Sequence, residues 1–384
     1  MLPERKARPS GKGAKGELKM INGKGLAKFT TLLDKAGYDA LLVGPSPDME
    51  YLSGLVLHPD ERFKVLVCFR DGRLCAVSPK LYVEQMRNAL GDAVEMVVWD
   101  DAEWFEKKTV AAFEKWGLRN GRIAVNEGIR AVDMLNLQER FAATFGDGHF
   151  VGEEARLRKD AEEIHRMRRA GQIADAALEA LTKEIRPGVT ERTLAKRLEE
   201  LLLEKGATDL SFGCIVAFGA NGAYPHYNGG GAVLREKDSV LIDFGCKFEG
   251  YCSDTTRTFF VGNPTEEERY IYETVLEANL AGEAAVAEGA AAQDIDRAAR
   301  GVIAKAGFGE YFISRTGHGI GVAIHENPYI REGNTQMLER GMAFSVEPGI
   351  YIPGKIGVRI EDVMVLTDEG PEPMSRFPKE LTVL

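Results

Sequence analysis

Apolar residues recur along the chain at two periods, and the changes of period mark its organisation. In "LAKFTTLLDKAG" Leu26, Phe29, Leu32, Leu33 and Ala36 fall at helical spacing, and Gly37 stops the run. "DALLVG" then reads as a buried strand, and "FKVLVCFRDGRLCAVS" as a hairpin turning at Asp71-Gly72. A helix in "LYVEQMRNAL", a strand in "EMVVW", a helix around Trp104 to Trp116 and a strand in "RIAVN" come next. Residues 26–152 are therefore expected to form a small α/β domain with a mixed sheet.

From Val151 the charge density rises and longer helices are expected. Asp160 to Ile185 fits one amphipathic helix. "RPGVTERTLAKRLEELLLEKG" fits a second, with Thr190 as cap candidate. Thr265 to Ala287 and "EGAAAQDIDRAARGVIAKAG" repeat the layout. Gly188 and Gly206 recur as Gly289 and Gly307, both offset by 101 residues. Two unrelated amphipathic helices would look much the same, so the segment after each pair decides. After the first comes "SVLIDFGCKFEGYCSDTTRTFFVG", two strands around Cys246–Gly250. After the second comes "MAFSVEPGIYIPGKIGVRIEDVMVL", two strands around Pro353–Gly357. Residues 153–384 thus read as an α+β domain made of duplicated helix–helix–strand halves.

Each hairpin carries two acids, one per strand: Asp243 and Asp254 in the first, Glu347 and Glu361 in the second. Each acid interrupts an apolar run, where an unpaired charge costs several kcal/mol by order of magnitude. Four converging carboxylates would repel one another and partly neutralise. Two divalent cations would let all four stay ionised. "SRTGHGIGVAIHENP" places His318 and His325 close by, two of only six histidines in the chain. His318 offers an imidazole, and Gly317, Gly319 and Gly321 let backbone approach it. Oxygen donors with one imidazole suit Mn²⁺, Co²⁺, Mg²⁺ or Zn²⁺. Two such ions roughly 3.5–4 Å apart activate water and polarise a carbonyl, which is hydrolytic chemistry.

Asp243, Asp254, His318, Glu347 and Glu361, within "LIDFG", "SDTTRTF", "TGHGIG", "VEPGIY" and "VRIED", resemble the pita-bread metallopeptidases, and more closely their prolidase and aminopeptidase P branch. The resemblance runs from about Leu26 to the C-terminus. It implies a pita-bread catalytic domain preceded by a smaller creatinase-type N-terminal domain. By that resemblance Asp243 chelates one metal, His318 and Glu347 bind the other, and Asp254 and Glu361 bridge. Glu347 is also the proton-transfer carboxylate. His325 resembles the histidine that hydrogen-bonds the substrate carbonyl, and His226 in "AYPHYN" one that helps place the substrate. Arg359 is similar to an arginine paired with the site carboxylates, and Tyr351 to a residue lining the proline pocket. The implied enzyme is a homodimer holding two divalent ions per subunit, Mn²⁺ foremost and Co²⁺ or Zn²⁺ as alternatives. It removes the residue preceding proline from the N-terminus of dipeptides and short peptides.

Two positions depart from the pattern. Ser314 stands where many prolidase-type sequences have a histidine. Tyr329 stands where some dipeptidases have an arginine for the dipeptide carboxylate. With a hydroxyl and no charge at Tyr329, the balance leans towards tolerance of Xaa-Pro-Yaa peptides, with Xaa-Pro dipeptides also cut. Three other readings stay open. A methionine aminopeptidase shares the five ligands but generally lacks the N-terminal domain. A creatinase-like hydrolase shares both domains but lacks the ligands. A non-catalytic binding module on the same fold should have lost them as well.

Charge and cysteine use narrow the partners. Met1 to Gly25 carries seven Lys or Arg against Glu4 and Glu17, so the remainder is more acidic than the chain's net −10. That argues against nucleic acid as a partner. The basic tail, residues 1–25, is expected to lack a fold. It has no apolar stretch of signal-peptide type, and no long apolar run suggests a membrane span, so a cytoplasmic location is expected. Five cysteines without C-x-x-C spacing read as reduced thiols.

Overall fold

Asn22 opens the folded chain. Its side chain accepts from the Gly25 amide at 2.9 Å and caps helix α1 (Gly23–Ala36), which Gly37 ends in the left-handed conformation. The fold therefore begins four residues before Leu26, because Asn22 supplies a cap that hydrophobic spacing alone does not reveal. The computed structural model describes residues 21–384, so Met1 to Met20 of the basic tail lie outside them.

Two compact units make up the described chain, one ending at Gly152 and one running from Glu153 to Leu384. The first holds β1 (Ala40–Val43), α2 (Pro47–Ser53), β2 (Val65–Phe69), β3 (Leu74–Pro79), α3 (Val83–Leu90), β4 (Glu95–Trp99), α4 (Glu106–Lys115), β5 (Arg122–Val125), α5 (Ala131–Arg140) and β6 (Thr144–Asp147). Its six strands order as β4-β3-β2-β1-β5-β6. The β1–β2 and β2–β3 pairs are antiparallel and the outer pairs parallel, so the sheet is mixed. Trp99, Phe105 and Phe113 fill one face with Val65 and Val67. Three elements were not expected: α2, started by Ser46 and Pro47, and α5 and β6, whose burial is patchy. Helix α6 (His149–Leu157) carries the chain across the division.

The second unit repeats itself. Helices α7 (Ala161–Thr182) and α8 (Glu191–Glu204) precede four strands: β7 (Asp209–Leu210), β8 (Ile215–Phe218), β9 (Ser239–Phe244) and β10 (Cys246–Phe248). Then come β11 (Tyr251–Cys252) and β12 (Thr255–Phe260). Helices α9 (Glu266–Ala284) and α10 (Ala292–Lys305) precede β13 (Gly317–Gly319), β14 (Glu326–Ile330), β15 (Ala343–Val346), β16 (Gly349–Ile352), β17 (Ile356–Arg359), β18 (Asp362–Thr367) and β19 (Gly370–Pro373). Both α8 and α10 have 14 residues. The chain entering each makes the same backbone contacts: Gly188 donates to Leu234 O, and Gly289 to Leu338 O. Both positions need glycine, at φ of 95° and 82°, where a side chain would be strained.

The two hairpins are less regular than the sequence suggests. Each splits into a base ladder and a tip ladder: β9–β12 and β10–β11 in the first, β15–β18 and β16–β17 in the second. The break between the ladders has a physical cause. Val346 and Ile360, at the break of the second hairpin, turn their carbonyls to the buried Asn279 side chain on α9, at 2.9 and 3.3 Å. Backbone groups freed from the ladder thus keep partners. All five cysteines are free, and four of them are buried. Among the described residues no helix is long and apolar enough to cross a membrane.

Candidate active site

The breaks in the two hairpins are where the acids stand. Glu347 lies between β15 and β16, Glu361 between β17 and β18, and Asp254 between β11 and β12, while Asp243 sits on β9 beside the first break. With the ladder interrupted, the Glu361 amide donates to Thr256 O at 3.1 Å and the Glu347 amide to Thr316 O at 2.7 Å. The first of these bonds joins the two hairpins across the repeat, and it brings the four acids to one cavity.

That cavity has a volume of about 560 Å³ and is lined by Asp243, Asp254, Glu347, Glu361, His318, His325 and His226. Tyr351, Arg359, Ser314 and Arg315 complete its polar wall, and Phe212, Ile215, Pro225 and Ile324 its apolar one. Of the side chains given a metal-binding, catalytic or substrate role from the sequence, Tyr329 alone is absent from the lining. It lies behind Arg315, whose guanidinium carbon is 4.8 Å from the Tyr329 ring centre.

Asp254, His318 and Glu361 present ligand atoms within 4.8 Å of one another. His318 Nε2 is 3.6 Å from Asp254 Oδ2 and 3.3 Å from Glu347 Oε1. Its Nδ1 faces Gly319 O at 3.1 Å, so the proton belongs on Nδ1 and the Nε2 lone pair faces the acids. The close approach needs glycine: a Cβ on Gly317 would sit 1.9 Å from Ser345 O, and one on Gly319 2.2 Å from Asn327 O. Ser345 Oγ in turn accepts from the His318 amide and donates to Glu347 Oε1, both at 3.0 Å.

Among the described residues Arg359, 3% exposed, is the one permanent cation bonded to the acids. It donates to Asp243 Oδ2, to Tyr351 Oη at 3.0 Å and to Thr256 Oγ1 at 3.0 Å. Thr256 passes a hydrogen bond on to Glu361 Oε2 at 2.6 Å. This does not balance the site. Burial, and then the charges of Glu361, Asp243 and Glu347, push Asp254 well above the carboxylate range. Burial, Glu347 and Asp243 do the same to Glu361. Burial lifts Glu347 to about 7, although Arg359 opposes it. His318 falls to about 3 through burial and the neighbouring His325 ring, edge-on at 4.1 Å. Asp243 Oδ1 is buried with no hydrogen-bond partner among the described residues. An orphaned carboxylate oxygen, three further acids and an aimed imidazole nitrogen are a donor set that fits divalent cations.

Sequence reasoning missed the residues that hold the site. Glu191, fully buried on α8, accepts from the Phe218 amide at 2.9 Å, Asn221 Nδ2 at 2.8 Å and Tyr227 Oη at 3.0 Å. It thereby ties down the loop that carries His226. An acid in a helix's first turn, where it reads as a cap, gave no sign of this. Arg315 was missed too, since an arginine beside a glycine motif reads as a solvated charge.

The profile of metallopeptidase family M24 matches residues 165–368, and that of the creatinase/prolidase N-terminal domain matches residues 26–158. An Xaa-Pro dipeptidase of Lactobacillus delbrueckii subsp. lactis is 37% identical over 367 residues, covering 94% of this chain and 98% of the relative. The crystal structure of recombinant prolidase from Thermococcus sibiricus superposes with a TM-score of 0.90 at 38% identity, covering 94% of this chain and 98% of the other. That of an X-Pro aminopeptidase from Thermotoga maritima gives 0.83 at 28% identity, covering 94% and 99%.

Proposed function

The chain belongs to metallopeptidase family M24, and from that membership we propose that it hydrolyses the Xaa-Pro bond at the N-terminus of dipeptides and short peptides. The observation that carries this reading is the charge of the cavity: four acids face one arginine bonded to them and one aimed imidazole. Asp243, Asp254, His318, Glu347 and Glu361 would hold two divalent ions, which balance the acids, lower the pKa of water and polarise the scissile carbonyl. Mn²⁺ suits these donors, and Co²⁺ or Zn²⁺ are the alternatives. The naming of the Lactobacillus and Thermococcus relatives supports the substrate class.

The chain's own groups divide the remaining work. Glu347, oriented by Ser345, takes a proton from the attacking water. It returns that proton to the prolyl nitrogen as the C–N bond breaks, leaving a free carboxylate on Xaa and a free amine on proline. His325 donates to the carbonyl oxygen as negative charge builds there. His226 steadies the peptide. Tyr351, fixed by Arg359, backs the proline ring. A cytoplasmic homodimer is part of the same reading.

Parallel assays on Ala-Pro, Ala-Pro-Ala and a Met-Ala peptide test it, each with and without chelator. Only proline substrates should be cut, with activity lost on chelation and restored by Mn²⁺. Cleavage of the Met-Ala peptide in preference, or full activity in the stripped protein, would overturn it.

A further inference from the structure

Ser345 orients Glu347 and Arg359 fixes Tyr351, but the His325 ring makes no hydrogen bond among the described residues. It is exposed in the cavity wall, with the His318 ring edge-on at 4.1 Å. Its aim therefore depends on the main chain that carries it. That main chain is held by buried charge. The next residue, Glu326, is 3% exposed and opens β14, where it pairs with Gly319, the residue after His318. Lys159 Nζ donates to one Glu326 oxygen at 2.7 Å, and Arg156 Nη1 donates to the other. Both cations are buried as well. Lys159 is fastened in turn: its amide donates to Gly341 O at 2.8 Å, and a Cβ on Gly341 would sit 2.6 Å from Lys159 O. The ion pair also packs against the stretch between the two histidines. A Cβ on Gly321 would come 2.6 Å from Glu326 Oε1 and 2.9 Å from Lys159 Cε.

Three buried ionic groups are a costly way to hold a strand, and apolar side chains of similar size often hold one as well or better. What the charges add is direction. Each Glu326 oxygen has its own cation, so the carboxylate has one seat and the residue before it one place. We propose that Glu326, gripped by Lys159 and Arg156, is the positioning residue that sets His325 over the scissile carbonyl. The assignment rests on the Xaa-Pro reading, in which His325 donates to the carbonyl oxygen as charge builds there. A donor of that kind acts in the transition state, and a displacement of about 1 Å is enough to cost on the order of 10²-fold in rate. His318 has holds of its own, Ser345 Oγ on its amide and Gly319 O on Nδ1, so the metal ligands do not depend on this anchor.

The test is a double-mutant cycle on Ala-Pro hydrolysis at saturating Mn²⁺, with Lys159→Met, His325→Ala and the two combined. Lys159→Met leaves Arg156 on Glu326, so the acid keeps a partner. Its kcat should fall roughly 10- to 100-fold with KM within about twofold of native, and its metal content should stay native. Added to His325→Ala, the same substitution should lower kcat by less than about twofold further, because no ring is left to place. A merely structural role would lower kcat by the same factor in both backgrounds, which would overturn the proposal. So would a native kcat in Lys159→Met, or metal content falling in step with turnover. Should Lys159→Met not fold, Lys159→Gln, which keeps a donor for Glu326, takes its place in the cycle with the same expected coupling. A native enzyme that leaves Ala-Pro uncut would instead sink the Xaa-Pro reading, and this assignment with it.

Discussion

Glu361 and Asp362 are adjacent in sequence and belong to two different buried charge clusters. Strand geometry sends successive side chains to opposite faces. Asp362 meets Arg257 Nη2 at 2.8 Å and Lys379 Nζ at 2.6 Å, and Lys379 also pairs with Glu283. There two acids meet two cations. Arg257 further donates to the carbonyls of Thr256, Glu361, Phe377 and Pro378, fastening the C-terminal segment to the hairpins. On the other face, Glu361 joins Asp243, Asp254 and Glu347, with Arg359 alone among the described residues bonded to them as a cation. A cluster that closes its own charge holds structure. One that leaves a surplus is built for something that arrives.

Breaking each cluster should therefore damage different properties. Glu347→Gln keeps a coordinating oxygen but cannot carry the proton. Turnover should fall on the order of 10³–10⁴-fold, about 4–5 kcal/mol of activation free energy, while the melting temperature changes little. A fully active variant would remove Glu347 from the proposed mechanism. Asp362→Ala leaves Arg257 and Lys379 buried without their shared partner, and should cost about 3–4 kcal/mol of stability. Urea unfolding measures that loss. If stability is untouched and only turnover falls, the contrast between the clusters fails.

The same contrast explains what the sequence disclosed. The helix pairs were legible because amphipathic spacing and the glycines at 188, 206, 289 and 307 are local signals. The acids were legible because each breaks an apolar run. The breaks themselves were not: "VEPGIY" reads as continuous strand until Asn279, from a distant helix, takes up the freed carbonyls, and Cys246–Phe248, which reads as part of a turn, is a strand of the first tip ladder. Helix α1 reads short in the sequence because its cap, Asn22, lies before Leu26, the first residue of the apolar helical run. Arg315 stayed hidden for a tertiary reason: Arg300, Asp296 and Tyr329 fix it, and all three are remote from it in sequence.

Metal content measured by elemental mass spectrometry beside Ala-Pro turnover tests the central claim most directly, that the surplus of acids is a metal centre. The native enzyme should carry about two divalent ions per chain, lost together with turnover on chelation, and Asp254→Ala should hold markedly fewer. Full turnover in protein stripped of metal, or undiminished metal content in Asp254→Ala, would contradict it.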